Sequence, residues 1–182
     1  MRLDLVERAR SGDREAFGEL ASAEVDRLLV VAKLVLRDPA LAEDAAQEAL
    51  VRAWRQLPKL RDPASFSGWL YRILMRAAAD ELGRRRRFDA TVQALPAEPS
   101  EGDAASGLAD RDQIERGFRR LSVDQRAVVV LHQYLDMPLP TVAQALGIPV
   151  GTAQSRYHAA LAALRAGLEA DARAVATGGA VS

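Results

Sequence analysis

A chain of 182 residues that is 49% hydrophobic but only 5% aromatic favours closely packed helices over a sheet, in one large domain or two small ones. With no cysteine and two isolated histidines it excludes disulfides, thiolate sites and a zinc centre, so no metal or cofactor is expected. The formal net charge is zero; an N-terminus without the apolar core of a signal peptide, and no run of about 18 apolar residues, lead to the expectation of a cytoplasmic chain without membrane insertion.

The first helical block is expected over residues 3–88. Leu5, Ala9, Phe17, Leu20, Val25, Leu28, Leu29 and Ala32 recur at helical spacing, with a break at Ser11-Gly12-Asp13. In DPALAEDAAQEALVRAWRQLP, Asp38 is placed to cap a helix and Pro39 suits its first turn. Ala46, Ala49, Leu50, Ala53, Trp54 and Leu57 then form one apolar stripe, which Pro58 stops. A third long helix is predicted to begin near Ser65, burying Phe66, Trp69, Leu70, Ile73, Leu74 and Ala77. The composition changes after it. Residues 88–110 contain no lysine or arginine but five acids, with proline, serine and glycine, which reads as a linker unable to bury a core.

The second block is predicted from about residue 111. Ser122 and Gln125 have capping-box spacing, and Ala127, Val128, Leu131, Tyr134 and Leu135 share a face. A short helix follows, then a tight break at Gly147-Ile148-Pro149 and a longer helix reaching about residue 170. The last residues, 171–182, read as a flexible tail. In the last helix Val150, Ala153, Tyr157, Ala160, Leu161, Leu164 and Leu168 are expected to face the core. Thr152, Gln154, Ser155, Arg156 and His158 are left on the leading outer surface, where they could meet base edges or phosphates. An ordinary helical hairpin with a solvated face has the same pattern.

Charge is segregated along the chain. Residues 1–88 carry 17 basic and 14 acidic side chains, a surplus of three; residues 89–110 carry five net negative charges; residues 113–170 carry two net positive ones. Overall neutrality therefore conceals an acidic tether between two mildly basic blocks. A reader with a surplus of two should bind DNA weakly by itself, and in a salt-sensitive way.

Three stretches resemble the extracytoplasmic-function (ECF) sigma factors. LGIPVGTAQSRYHAALAALR is similar to the helix-turn-helix that reads the −35 element, AEDAAQEALVRAW to the polymerase-clamp helix, and FSGWLYRILMRAAADELGRRRR to the helix that reads the −10 element. They occur in the family's order, with an acidic linker between the second and third units, and the resemblance covers residues 3–168. It implies an all-α chain of two small helical domains, residues 1–88 and 111–170, joined by a flexible acidic linker, residues 89–110. It implies a non-enzymatic initiation factor that binds core RNA polymerase and directs it to promoter DNA, with an anti-sigma factor as regulator. Asp44, Gln47, Glu48 and Arg52 would dock on the large-subunit clamp. Lys59, Arg61, Ser65 and Phe66 would help to capture an extruded base, and Arg72, Arg76, Arg84, Arg85, Arg86 and Arg87 would meet phosphates near the −10 element. Thr152, Gln154, Ser155, Arg156 and His158 would meet the −35 element.

The sequence departs from the family pattern in places. Arg76 stands where Asn is common, Gly83 where Arg is common, and Gln154 and His158 where basic residues are common. Thr141-Val142-Ala143 replaces the usual Glu-Ile-Ala, and Pro138 and Pro140 flank the start of that helix. These changes bear on promoter sequence rather than on fold. Two other functions fit parts of the pattern: a sigma mimic that sequesters an anti-sigma factor without binding promoters, and a repressor that acts without polymerase.

Overall fold

The structure, a computed structural model, describes residues 2–92 and 116–178, with side chains for residues 3–89 and 116–170. The described residues form helices and turns and contain no strand. In the first block α1 spans Arg2–Arg10, α2 Arg14–Leu36, α3 Pro39–Gln56 and α4 Phe66–Val92, with short 3-10 turns at Leu57–Lys59 and Pro63–Ser65. In the second block α5 spans Val123–Val129, α6 Leu139–Leu146 and α7 Val150–Gly178. Residues 116–120 are also helical.

Local chemistry accounts for the boundaries. Asp13 caps α2 by accepting from the Glu15 and Ala16 amides, and Asp38 caps α3 by accepting from Leu41, with Pro39 in the first turn. Ser122 and Gln125 form the reciprocal capping box at the start of α5. Gly147, at φ 68°, ends α6 in the left-handed region, which glycine enters without strain.

Two helices overrun the boundaries expected from composition. α4 continues past Phe88 to Val92, and α7 past residue 170 to Gly178. The stretch LEADARAVATG at the end of α7 is rich in alanine, the strongest helix former, so helix propensity carries the chain on where no core partner was expected. The remainder of the expected acidic linker, residues 93–110, lies outside the described residues, as do residues 179–182.

Small residues set the packing of the first block. Ala42, Ala45, Ala46, Ala49 and Ala53 bury one side of α3, and Ala77 and Ala78 line α4. Without bulky side chains between them the axes approach closely, which explains how so few aromatics suffice. Leu28, Val31, Leu57, Leu70, Tyr71 and Leu74 fill the remaining space. Four expected core residues are instead exposed: Val25, Tyr134, Val150 and Leu168 are 37–47% accessible. Val25 and Leu168 sit at the edges of their apolar stripes, Val150 is the first residue of α7, and Tyr134 closes a π-helical turn, Val130–Tyr134, that shifts the register after Val130.

The two blocks pack against each other. One continuous apolar core contains Val35, Leu74, Met75 and Ala78 from the first block together with Ala127, Val128, Leu131, Val142 and Ala145 from the second. A smaller cluster of Leu121, Val129 and Ala160 joins α5 to α7.

Candidate nucleic-acid interface

The last two helices form the expected helix-turn-helix. The Gly147 amide donates to Gln144 O and the Ile148 amide to Ala143 O, so the turn satisfies the carbonyls that α6 leaves open. Behind α7, His132 Nδ1–H donates to Met137 O at 2.7 Å, its ring meets Tyr157 edge-on at 4.8 Å, and Gln133 donates to the Tyr157 hydroxyl at 2.6 Å. This network fixes the rotation of α7, and it gives His132 a structural role.

The outer face of α7 presents Gln154, Ser155 and His158 to solvent, with Thr152 half-buried beside them. Arg156 does not join them. Its Nη2 pairs with Asp124 Oδ2 at 2.7 Å, and its side chain lines the cleft between α4 and the second block. Helical spacing puts residue 156 at the border of the two faces, and the acid at the start of α5 draws it inward.

In the first block, the loop before α4 is held from both ends. Arg10 Nη1 donates to Leu60 O at 3.2 Å and to Arg61 O at 3.4 Å. Asp62 accepts from the Ala64 amide, and the Ser65 hydroxyl donates to Asp62 O at 2.7 Å. Lys59, Arg61 and Ser65 remain exposed on the loop. Phe66, expected among the residues that capture a base, is 3% exposed and packs 5.9 Å from the Trp69 ring. It is the first residue of α4, where the apolar stripe begins, so burial claims it. It positions the loop from beneath and is not on its surface.

Along α4, Arg72 is half-buried and Arg76 exposed. Arg72 shares a groove with Ser65, Gly68 and Trp69 on its own side and with Thr141, Gln144 and Ala145 of α6 opposite. The run at the end of the helix divides. Arg84 is paired with Glu81, Arg85 bonds Asp89 at 3.1 Å, and Arg86 lines the inter-block cleft beside Arg76. Arg87 is exposed. A cluster that reads in sequence as one basic patch is thus distributed around the helix at 100° per residue, and Arg84 and Arg85 are paired with acids of the same helix.

On α3, Asp44 and Gln47 are exposed and Glu48 half-buried. Arg52 bridges two helices: its Nε bonds Glu48 at 2.7 Å and its Nη1 bonds Asp80 of α4 at 2.6 Å. These bonds, that to Asp80 first, stabilise the charged guanidinium and raise its pKa further. The arrangement ties Arg52 to its own chain. Sequence reasoning missed the neighbouring apolar surface, where Val51 is 38% exposed and forms a shallow groove with Arg14, Phe17, Leu50, Trp54 and Arg55. Trp54, expected in the core, is half-buried and packs its ring 5.0 Å from Phe17. The available signal was Val51, an apolar residue off the stripe of α3.

Among the described residues no cluster of His, Cys, Asp or Glu is placed to hold a metal, and no helix is long and apolar enough to cross a membrane. The arrangement offers hydrogen bonds and charge to a macromolecular partner.

The comparisons with known proteins agree with this geometry. Residues 20–88 match Sigma-70 region 2, and residues 111–164 match Sigma-70, region 4. The chain is 33% identical over 180 residues to the RNA polymerase sigma-H factor of Pseudomonas aeruginosa, covering 91% of this chain and 92% of that protein. It is 33% identical over 159 residues to the ECF RNA polymerase sigma factor SigM of Mycobacterium tuberculosis, covering 85% of this chain and 78% of that protein. Among solved structures it is similar to CnrH, determined in complex with the cytosolic domain of CnrY, at a TM-score of 0.67 and 26% identity over 93% of this chain and 98% of that one. Two sigma-70 regions in order, joined in one helical chain with relatives across nearly its whole length, establish that this protein belongs to the ECF group of RNA polymerase sigma factors.

Proposed function

We propose that the chain binds core RNA polymerase and directs promoter-specific initiation, with the first block at the −10 element and the second at the −35 element. The match to both sigma-70 regions in one chain carries this reading. The functional units are residues 1–88 and 111–170, and catalysis belongs to the polymerase. Charge supports a shared grip: surpluses of three and two are small for independent DNA binders. A large enzyme that holds both readers converts the second contact into an intramolecular one and raises its effective concentration.

Within this reading the exposed Asp44 and Gln47 of α3, together with Glu48, meet the polymerase clamp, and the adjoining Val51 and Trp54 surface adds apolar area. Arg52 supports that surface from within through Glu48 and Asp80. Lys59, Arg61, Ser65, Arg72, Arg76 and the arginines 84–87 serve the −10 side. Gln154, Ser155, His158 and Thr152 serve the −35 side, with Arg156 joining them when its cleft is vacated. CnrH is solved with the cytosolic domain of CnrY; a protein regulator of the anti-sigma type is the matching expectation for this chain, which acts in the cytoplasm where polymerase is.

Purified core polymerase plus this protein, supplied with genomic fragments, should yield transcripts with common upstream elements. Asp44→Arg combined with Gln47→Ala should lower core affinity at least tenfold with an unchanged Tm. Core polymerase that gains neither binding nor start sites from this protein would refute the reading, and binding without any promoter-specific transcript would favour the mimic.

A further inference from the structure

A cleft of about 500 Å³ lies between α4 and the second block, within the range of about 300–1,000 Å³ that suits a small molecule. Its floor is aliphatic: Met75, Ala78 and Leu82 of α4 stand with Val123 and Ala127 of α5 and Leu146 of α6. Leu82, Val123 and Leu146 are only half-buried, so the fold leaves part of this floor in contact with water. Covering it is favourable in proportion to the apolar area removed from water. Gly83 keeps the α4 wall low. Glycine weakens a helix interior relative to alanine, and packing does not require it here: a Cβ at Gly83 would meet only the end of the Arg87 side chain, at 3.7 Å.

The rim of the cleft is cationic. Arg76 and Arg86 of α4 and Arg156 of α7 line it, against one carboxylate, Asp124, which is taken up by Arg156 at 2.7 Å. The three acids of α4 are engaged as well: Asp80 with Arg52 at 2.6 Å, Glu81 with Arg84, and Asp89 with Arg85 at 3.1 Å. Among the described residues no acid therefore pairs with Arg76 or Arg86, and both are exposed. No aromatic ring, amide or imidazole is among the described residues that line the cleft, and Ser122 supplies the one hydroxyl. A nucleobase would find no ring to stack on there and little to read its edge. Two unpaired guanidinium groups beside an aliphatic floor suit a different kind of anion.

We propose that this cleft binds a small aliphatic anion, an alkyl or acyl chain that ends in a phosphate or a carboxylate. The chain covers the floor formed by Met75, Leu82, Val123 and Leu146, and Arg76 and Arg86 hold the head group. A guanidinium fork matches the paired oxygens of either head, and charge-assisted bonds of this kind are the strong ones. The tail supplies buried area and the head supplies orientation, so each part alone should bind poorly. Because the walls come from helices distant in sequence, the ligand binds the folded chain and stabilises it by mass action. The site is built by this chain alone and stands independently of the initiation function proposed above.

Titration calorimetry on the full chain, with each amphiphile kept below its micelle-forming concentration, tests the site. Dodecanoate and dodecyl phosphate should each bind with a stoichiometry of one. At a hundredfold excess over Kd they should raise the Tm by about 5–10 °C. Dodecyltrimethylammonium, with the same tail and the opposite charge, and inorganic phosphate, which lacks the tail, should bind at least tenfold more weakly. The tighter of the two anions identifies the head group, and either order supports the site. Arg76→Ala combined with Arg86→Ala should weaken both anions at least tenfold and leave the Tm of the unliganded chain unchanged, because both side chains are exposed. Gly83→Leu should abolish binding by filling the cleft from its wall, with an equal or higher Tm, since leucine is the better helix former. Equal binding of the anions and the cationic amphiphile, or no binding at all, overturns the proposal. So does binding that either variant leaves unchanged, or adenosine monophosphate binding more tightly than dodecyl phosphate.

Discussion

Asp13 performs two local tasks at the entrance to α2. One carboxylate oxygen accepts from the Glu15 and Ala16 amides at 3.0 Å, and the other meets Arg8 at 2.7 Å. The Ala16 bond first, and the Arg8 side chain next, hold its pKa below the ordinary aspartate value. A depressed folded-state pKa stabilises the fold above the unfolded value, and that contribution is lost as pH falls through the folded one. Asp13→Asn should therefore melt below the wild type at neutral pH, and the gap should close as pH drops below about 4. Thermal unfolding across acidic pH checks this; a gap that stays constant would leave the charge without a role. The sequence marked only a break at Ser11-Gly12-Asp13; that Asp13 caps the following helix shows in the structure. Arg52, Arg156 and Phe66 were legible by type but not by direction. Asp80 and Asp124 claim the two arginines from 28 and 32 positions away in sequence, and such pairings leave no local periodic trace.

At the scale of elements, the turn between α6 and α7 carries the reader. Gly147 holds φ 68° while its amide and that of Ile148 close the end of α6. A side chain in the left-handed region costs about 1–2 kcal/mol, less for Asn. Gly147→Ala should lower the Tm by about 2–8 °C for a chain of this size. Gly147→Asn should lower it less, and the order of the two variants in a melting experiment is the check. Gly147-Ile148-Pro149 announced this turn directly. The π-helical turn at Val130–Tyr134 was not announced, because an inserted residue leaves the apolar composition intact and changes only which way Tyr134 points. Helix ends at Val92 and Gly178 also escaped, since composition marks where a core becomes unaffordable and says little about where an alanine-rich helix stops.

For the whole molecule, the charge balance matters most. Under the proposed function, two weakly basic readers should make promoter binding depend on polymerase, and the salt dependence of that binding would count the phosphates neutralised. Holoenzyme carrying Arg76→Ala should show a log affinity against log salt slope shallower by about 0.7–0.9 if this exposed arginine meets one phosphate. An unchanged slope would remove it from the DNA backbone. The isolated wild-type chain should bind the same duplex far more weakly than the holoenzyme does.

The amino-acid sequence by itself determined the helical class, the caps at Asp38 and Ser122, the main breaks, the two-block division and, through three ordered stretches, the family. These follow from interactions within a few residues, where 3.6-residue periodicity and capping chemistry act. Only the tertiary structure decided that Arg126 reaches Val35, that α4 rests on α6, and that several candidate DNA contacts turn into a shared cleft. The physical reason is that an apolar stripe specifies that a face must be covered, whereas the identity of its cover depends on shape and hydrogen-bond partners supplied from distant parts of the chain.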